Sequence, residues 1–124
     1  MNEKTEPVPT TELAGLRDAL RAFAEIRDWD QFHSPKNLAA ALSVEAAELL
    51  EPFLWLTEAQ SKSLSSETLN AVRNEMADVL LYLVRLADKL DIDLIAAARE
   101  KIAHNALKYP VEKSRGSSKK YTEL

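Results

Sequence analysis

The chain has 124 residues, enough for one domain with one core and too few for two ordinary ones. Hydrophobic residues make up 46% against two glycines and five prolines, which favours a packed, helix-rich domain over an all-β chain with its many turns, and the lack of cysteine excludes disulfides and thiolate metal sites. Net charge is -4, and the basic stretch Val111 to Leu124 leaves the preceding body near -6, which argues against broad nucleic-acid binding and suits a metal cation.

The opening stretch "MNEKTEPVPTTE" lacks the apolar run of a signal peptide, and no apolar stretch approaches the roughly 20 residues that cross a bilayer. The expectation is a soluble cytoplasmic protein with no membrane partner. Residues 1–10 carry Pro7 and Pro9 without periodicity and read as a flexible arm. A first helix is expected from Thr11 to Ile26, its buried face marked by Leu13, Leu16, Leu20, Phe23 and Ile26. "RDWDQFHSP" breaks that pattern, and Ser34-Pro35 is a start signal: serine as N-cap, proline at the first helical position.

A second helix runs from Pro35 to about Glu51, where Pro52 ends or kinks it because proline cannot donate to the carbonyl four residues back. "FLWLTEAQSKSLSS" reads as a mobile linker, with room for another turn or short helix. A third and longest helix spans Ser65 or Ser66 to Leu90, with a broad apolar face of Leu69, Val72, Met76, Val79, Leu80, Leu83 and Leu86. Asp91 is the expected cap of a fourth helix, Asp93 falls in its first turn, and Ile95, Ala98 and Ile102 carry its stripe until Pro110. "VEKSRGSSKKYTEL" reads as an irregular tail. Four helices with short connections predict an all-α antiparallel four-helix bundle.

Two acidic pairs interrupt the apolar stripes of the second and third helices. Glu45 and Glu48 are three apart, as are Glu75 and Asp78, so each pair projects from one side of its helix. If both stripes face one core, four carboxylates converge, and like charges in a partly dry site need either protonation or a cation. Oxygen-only ligands select Mg²⁺, or Mn²⁺, over Zn²⁺; Mg²⁺ accepts phosphate oxygens, which implies a phosphate-bearing substrate. A di-iron bundle wants Glu-x-x-His pairs, and the only histidines are His33 and His104. Acids on helices are otherwise usually solvated, and that bland reading stays open for these four.

At these residues the chain resembles the MazG-type all-α nucleoside triphosphate pyrophosphohydrolases, with Glu-x-x-Glu on one helix and Glu-x-x-Asp on the next, and most closely their dCTP pyrophosphatase branch. "RDWDQFHSPKNLAAALSVEAAELLEPFLWL", "NEMADVLLYLVRLADKLDIDL" and "KYP...SRGSSKKYTEL" carry the likeness across nearly everything after residue 20. The resemblance implies hydrolysis of a deoxynucleoside triphosphate, dCTP or a modified dCTP, to the monophosphate and pyrophosphate. Mg²⁺ would be held by Glu45, Glu48, Glu75 and Asp78, with water attacking the α-phosphorus and a carboxylate, Glu45 or Glu48, taking its proton. In one place the motif departs from the family: many members open it with two consecutive glutamates, and Val44 stands in the first of those places. Glu51, three beyond Glu48, would serve a second ion or face water.

Trp29 and Trp55 flank the ends of the acidic second helix, and an aromatic face stacks a nucleobase. In the similar enzymes both tryptophans line the base pocket; packing alone would also account for either. His33 and Asn37 sit at the start of the second helix, where free N–H groups favour anions. Tyr82, four after Asp78, shares the acidic face and would reach sugar or base, with core packing as its rival. Lys101, Asn105 and Lys108 lie on one helical face and match the family's Lys-x-x-x-Asn-x-x-Lys/Arg-Tyr-Pro pattern, which implies phosphate contacts; a charged helix end is the alternative. The resemblance further implies a dimer or dimer of dimers and an ordered tail, residues 111–124, packed on a neighbouring subunit, beside a catalytic domain over residues 11–110. Other activities in the same superfamily, dUTP or phosphoribosyl-ATP hydrolysis, and a non-catalytic helical interaction module are the competing readings.

Overall fold

The computed structural model describes residues 12–124, and all the regular structure among them is helical. None of the described helices is long and apolar enough to cross a membrane. The expected arm over residues 1–10, and the helix start at Thr11, lie outside the described residues. The chain divides into two compact units, one ending at Asp91 and the other running from Ile92 to Leu124.

The first unit contains α1 (Glu12–Ile26), α2 (Pro35–Leu50), α3 (Glu58–Ser61) and α4 (Ser66–Lys89), with 3₁₀ turns at Asp30–Phe32 and Glu51–Phe53. Local chemistry sets these boundaries. After α1 the backbone reverses through Asp28, whose φ of 53° is the left-handed region that short polar side chains tolerate. The hydroxyl of Ser34 then accepts from the Asn37 amide at 3.2 Å, with Pro35 at the first helical position. Ser65 caps α4 in the same way through the Thr68 amide.

The segment between α2 and α4, expected to be a mobile linker, is held instead by a capping box. The Thr57 hydroxyl accepts from the Gln60 amide at 3.1 Å, and the Gln60 side chain accepts from the Thr57 amide at 3.0 Å. Two otherwise orphaned donors are satisfied reciprocally, which is why four residues suffice for a turn of helix there.

α2 packs along α4 in the most extensive contact of the unit, and α1 packs on α4 as well. Ala24, Leu38, Val72, Val84 and Ala87 are the buried apolar residues, and Leu38 is only 1% exposed. Two sequence expectations fail here. Phe23 and Ile26 do not lie on the buried face of α1: both are exposed, Ile26 by 82%, and Ala24 is buried instead. On α4, Val72 is buried and Val79 and Leu86 half-buried, whereas Leu69, Met76, Leu80 and Leu83 are exposed. The apolar stripe of α4 is wider than the surface α1 and α2 cover, so part of it is left as an open strip.

The second unit contains α5 (Leu94–Lys108), α6 (Val111–Ser114) and a 3₁₀ turn at Tyr121–Glu123. Asp93, not Asp91, is the N-cap of α5. Its extended backbone lets the carboxylate accept from the Ala96 amide at 3.0 Å, while Asp91 takes a φ of 54° in the preceding turn. The tail is not irregular throughout: the Ser114 hydroxyl donates to the Pro110 carbonyl at 2.8 Å, and the Tyr121 ring meets Tyr109 edge-on at 6.0 Å. The expected apolar stripe of α5 is exposed at Ile95, Ala98 and Ile102.

Candidate active site

The 3.6-residue period puts Glu45 and Glu48 on the side of α2 that meets α4, and it presents Glu75 from α4 toward them. One carboxylate oxygen from each of the three lies within 4.8 Å of the others. All three residues are half-buried. Asp78, one turn further along α4, is exposed and stands outside this group, yet its charge is felt at both Glu45 and Glu75.

The electrostatics follow from that crowding. The nearness of Glu48 as a hydrogen-bond partner, then burial and the charges of Glu48, Asp78 and Glu75, pushes the Glu45 carboxyl up to about 7. Burial, followed by the charges of Glu48 and Asp78, raises Glu75 as well. Oε2 of Glu45 and Oε2 of Glu75 are buried and have no hydrogen-bond partner. Unpaired acceptors, raised carboxyls and an all-oxygen donor set fit a hard divalent cation. Val44, in the place of the family's extra glutamate, is exposed, and Glu51 is exposed but close enough to add its charge at Glu75.

Asp78 is also part of the lining of a cavity of about 170 Å³, with Phe23, Trp29, His33, Tyr82 and Arg85 among others. Its walls are mainly apolar with a few polar groups, the usual make-up of a ligand pocket, and it is smaller than the roughly 300–1,000 Å³ of pockets that enclose whole ligands. It is therefore sized to one ring system of a larger molecule. Trp29 is fixed there by an edge-on contact with Phe23 at 5.7 Å, and the Arg27 guanidinium covers Phe23 from 3.6 Å.

At the cavity wall stands a charge network that the sequence reading missed. The Arg85 side chain is buried among Asp30 at 2.9 Å, Asp88 at 3.4 Å and the Nδ1 atom of His33 at 3.1 Å. Arg21 of α1 donates to Asp88 at 2.7 Å, and Lys89 donates to Asp30. These cations hold both carboxyls below the usual range: the Lys89 hydrogen bond and charge, then Arg85, at Asp30; the Arg21 hydrogen bond and charge, then the charge of Arg85, at Asp88. Burial, then the charges of Arg85 and Lys89, pushes the His33 imidazole down. One signal was available: Arg85 is three after Tyr82 and seven after Asp78, on the same helical face.

The remaining candidates are dispersed. Asn37 uses its side-chain amide to donate to the Phe32 carbonyl at 3.0 Å, closing the turn before α2, and it does not line the cavity. Trp55 is 89% exposed and also outside the cavity lining. Lys101, Asn105 and Lys108 belong to the second unit, where the first two are exposed and the Lys108 ammonium sits 4.7 Å from the centre of the Tyr121 ring.

A helical fold with three glutamates converging between two packed helices defines an all-α protein with a carboxylate cluster that could hold a cation. The model of the MazG-like family matches residues 40–124, and the chain belongs to that family. It is 42% identical over 120 residues to dCTP pyrophosphatase 1 of Homo sapiens and, at the same level, of Rattus norvegicus, spanning 95% of this chain and 69% of each relative. A crystal structure of a pyrophosphatase from Archaeoglobus fulgidus, 38% identical, superposes with a TM-score of 0.73 over 85% of this chain and 98% of its own.

Proposed function

We propose that this protein hydrolyses deoxynucleoside triphosphates, dCTP or a modified dCTP first among them, to the monophosphate and pyrophosphate, and so cleanses the cytoplasmic nucleotide pool. It is an enzyme of the nucleoside triphosphate pyrophosphohydrolase class, and its substrate is a nucleoside triphosphate. The observation that carries the reading is the approach of Glu45, Glu48 and Glu75 to within 4.8 Å, in a chain 42% identical to enzymes named for dCTP.

Mg²⁺, with Mn²⁺ as a substitute, would be held by these three glutamates with Asp78 at the rim, and supplies charge that polarises phosphate oxygens and makes water more acidic. Glu45, whose carboxyl is raised to about 7, would hold the cation as the carboxylate, and Glu45 or Glu48 would take the proton of the water that attacks the α-phosphorus. Trp29 stacks the base, and Tyr82 and His33 contact sugar or base from the cavity wall. Asn37, Trp55, Lys101, Asn105 and Lys108 are assigned to substrate on the family pattern alone. A catalytic domain over residues 11–110, as an antiparallel four-helix bundle, is assigned on the family pattern alone. The open strip of Leu69, Met76, Leu80 and Leu83 supports a dimer or dimer of dimers, with residues 111–124 on a neighbouring subunit.

Pyrophosphate release from a panel of triphosphates, with dUTP and phosphoribosyl-ATP included, tests this reading. Release that needs Mg²⁺ and is fastest with dCTP or a modified dCTP is expected. A folded sample that releases pyrophosphate from none of them overturns it in favour of an interaction module.

A further inference from the structure

We propose that Arg85 is a positioning residue: its Nε–H, donated to Nδ1 of His33, fixes that imidazole in the neutral Nε2–H form, which offers one hydrogen-bond donor to an acceptor atom on the substrate's base. The proposal rests on the reading of the cavity as the base site.

A guanidinium carries donors and no acceptor. With Arg85 Nε 3.1 Å from His33 Nδ1, that nitrogen has to accept, since a proton on it would set two N–H groups face to face. Arg85 cannot easily turn away. It is 6% exposed, and its two other nitrogens are bound to Asp30 at 2.9 Å and to Asp88 at 3.4 Å. Three of its five N–H groups are engaged inside the protein, one from each nitrogen, which holds the guanidinium plane against the ring of His33. The charged groups acting on His33 are Arg85 and Lys89 from α4 and Asp30 from the 3₁₀ turn, two cations against one anion, so a second ring proton is disfavoured. That leaves the imidazole neutral with its single proton on Nε2. The ring lines the cavity and meets Trp29 edge-on at 6.4 Å, and Nε2 has no hydrogen bond to protein among the described residues. A donor fixed beside a stacking indole selects a base that presents a carbonyl oxygen or an unprotonated ring nitrogen at that edge, and disfavours one that presents an N–H.

The test begins with ¹⁵N NMR of the histidine rings in the full-length wild-type protein without substrate. An Nε2–H tautomer with an unprotonated Nδ1 at neutral pH is expected for His33. An Nδ1–H form, or rapid averaging of the two, overturns the proposal without any need for a variant. Arg85→Lys keeps the positive charge but loses the Nε donor. It is expected to average the tautomers, to raise KM for dCTP about five- to tenfold with kcat within about twofold, and to move the His33 inflection in the pH profile of KM upward. Asp30→Asn, which loosens one of the three anchors of Arg85, is expected to shift the tautomer and KM in the same direction by less, while loss of the one anion facing the ring moves the His33 inflection downward. An unchanged tautomer, KM and pH profile in folded Arg85→Lys overturns the positioning role. No turnover of any triphosphate by folded wild-type protein overturns the base contact together with the underlying reading, a failure kept distinct because the ring tautomer is read without activity.

Discussion

Glu45 and Glu75 approach each other across the contact between α2 and α4, each with its Oε2 atom buried and without a hydrogen-bond partner. Two like-charged acceptors in that position oppose folding unless a proton or a cation joins them. Mg²⁺ is therefore expected to raise the melting temperature of the wild-type protein, and a chelator to lower it. Glu45→Gln removes one charge and is expected to melt higher than wild type in chelator, to lose the response to Mg²⁺, and to turn over about 100-fold or more slowly, the scale of several kcal/mol of lost transition-state stabilisation. Differential scanning calorimetry with paired activity assays checks all three. A Glu45→Gln protein that still responds to Mg²⁺ as wild type does removes this residue from the site.

The raised Glu45 carboxyl sets a pH dependence whose sign is opposite to that of most acids. Its ordinary value is 4.5 and its folded value about 7, so between these the folded, metal-free protein binds more protons than the unfolded chain. The contribution is fully present below about pH 4.5 and is lost as pH rises toward 7. Asp30 and Asp88, held low, contribute above about 3.8 and lose that contribution in acid. His33, also held low, works against folding as pH falls below about 6.5. The difference in stability between wild type and Glu45→Gln in chelator isolates the Glu45 contribution. Mg²⁺ binding between about pH 5 and 7 is expected to release a proton, read as a binding enthalpy that changes with the ionisation enthalpy of the buffer.

The two tryptophans separate under substitution. Trp29 lines the cavity, and Trp29→Ala is expected to raise KM by about 5- to 150-fold, equivalent to the roughly 1–3 kcal/mol of a stacked base. Trp55 is 89% exposed, so Trp55→Ala is expected to leave the melting temperature within about 2 °C of wild type, since surface changes stay near ±0.5 kcal/mol. A change in its KM then reports substrate contact, because packing has little to lose there. Steady-state kinetics beside thermal melts distinguishes the two positions.

Leu38 is the most completely buried large side chain, on the α2 face that meets α4. Leu38→Ala is expected to cost roughly 2–5 kcal/mol, a lost transfer term plus a cavity. Chemical denaturation measures it, and a cost below about 1 kcal/mol would mean that the seam holding the glutamates is looser than described.

Leu69 belongs to the open strip on α4, near the start of the helix and six residues before Glu75. Leu69→Glu is expected to dissociate a dimer or larger assembly into a smaller species, read by light scattering after size-exclusion chromatography. A wild-type protein that is monomeric at micromolar concentration removes the oligomer from the proposal.

Most of what was legible in the residues depends on neighbours within about four positions. Ser34-Pro35 and Ser65 start their helices as read, because a cap is satisfied by an amide three residues on, and the three-residue spacing of Glu45 with Glu48 puts both on one side of α2 by helical period alone. Thr57 and Gln60 spelled a capping box with the same local grammar, unread because the segment around them is polar. Asp91 and Asp93 compete for one cap, and the backbone of the preceding turn decides for Asp93. Which flank of α4 is covered, and hence why Leu69 and Met76 are bare, depends on where α1 and α2 land. The pairing of Arg85 with His33 joins residues 52 apart, and the union of Glu75 with Glu45 and Glu48 joins two helices. The starts of α2 and α4 and the shared side of Glu45 and Glu48 were thus determined by the sequence. The grouping of three glutamates without Asp78, and a buried arginine beside the cavity, were decided by packing between segments that no local spacing encodes.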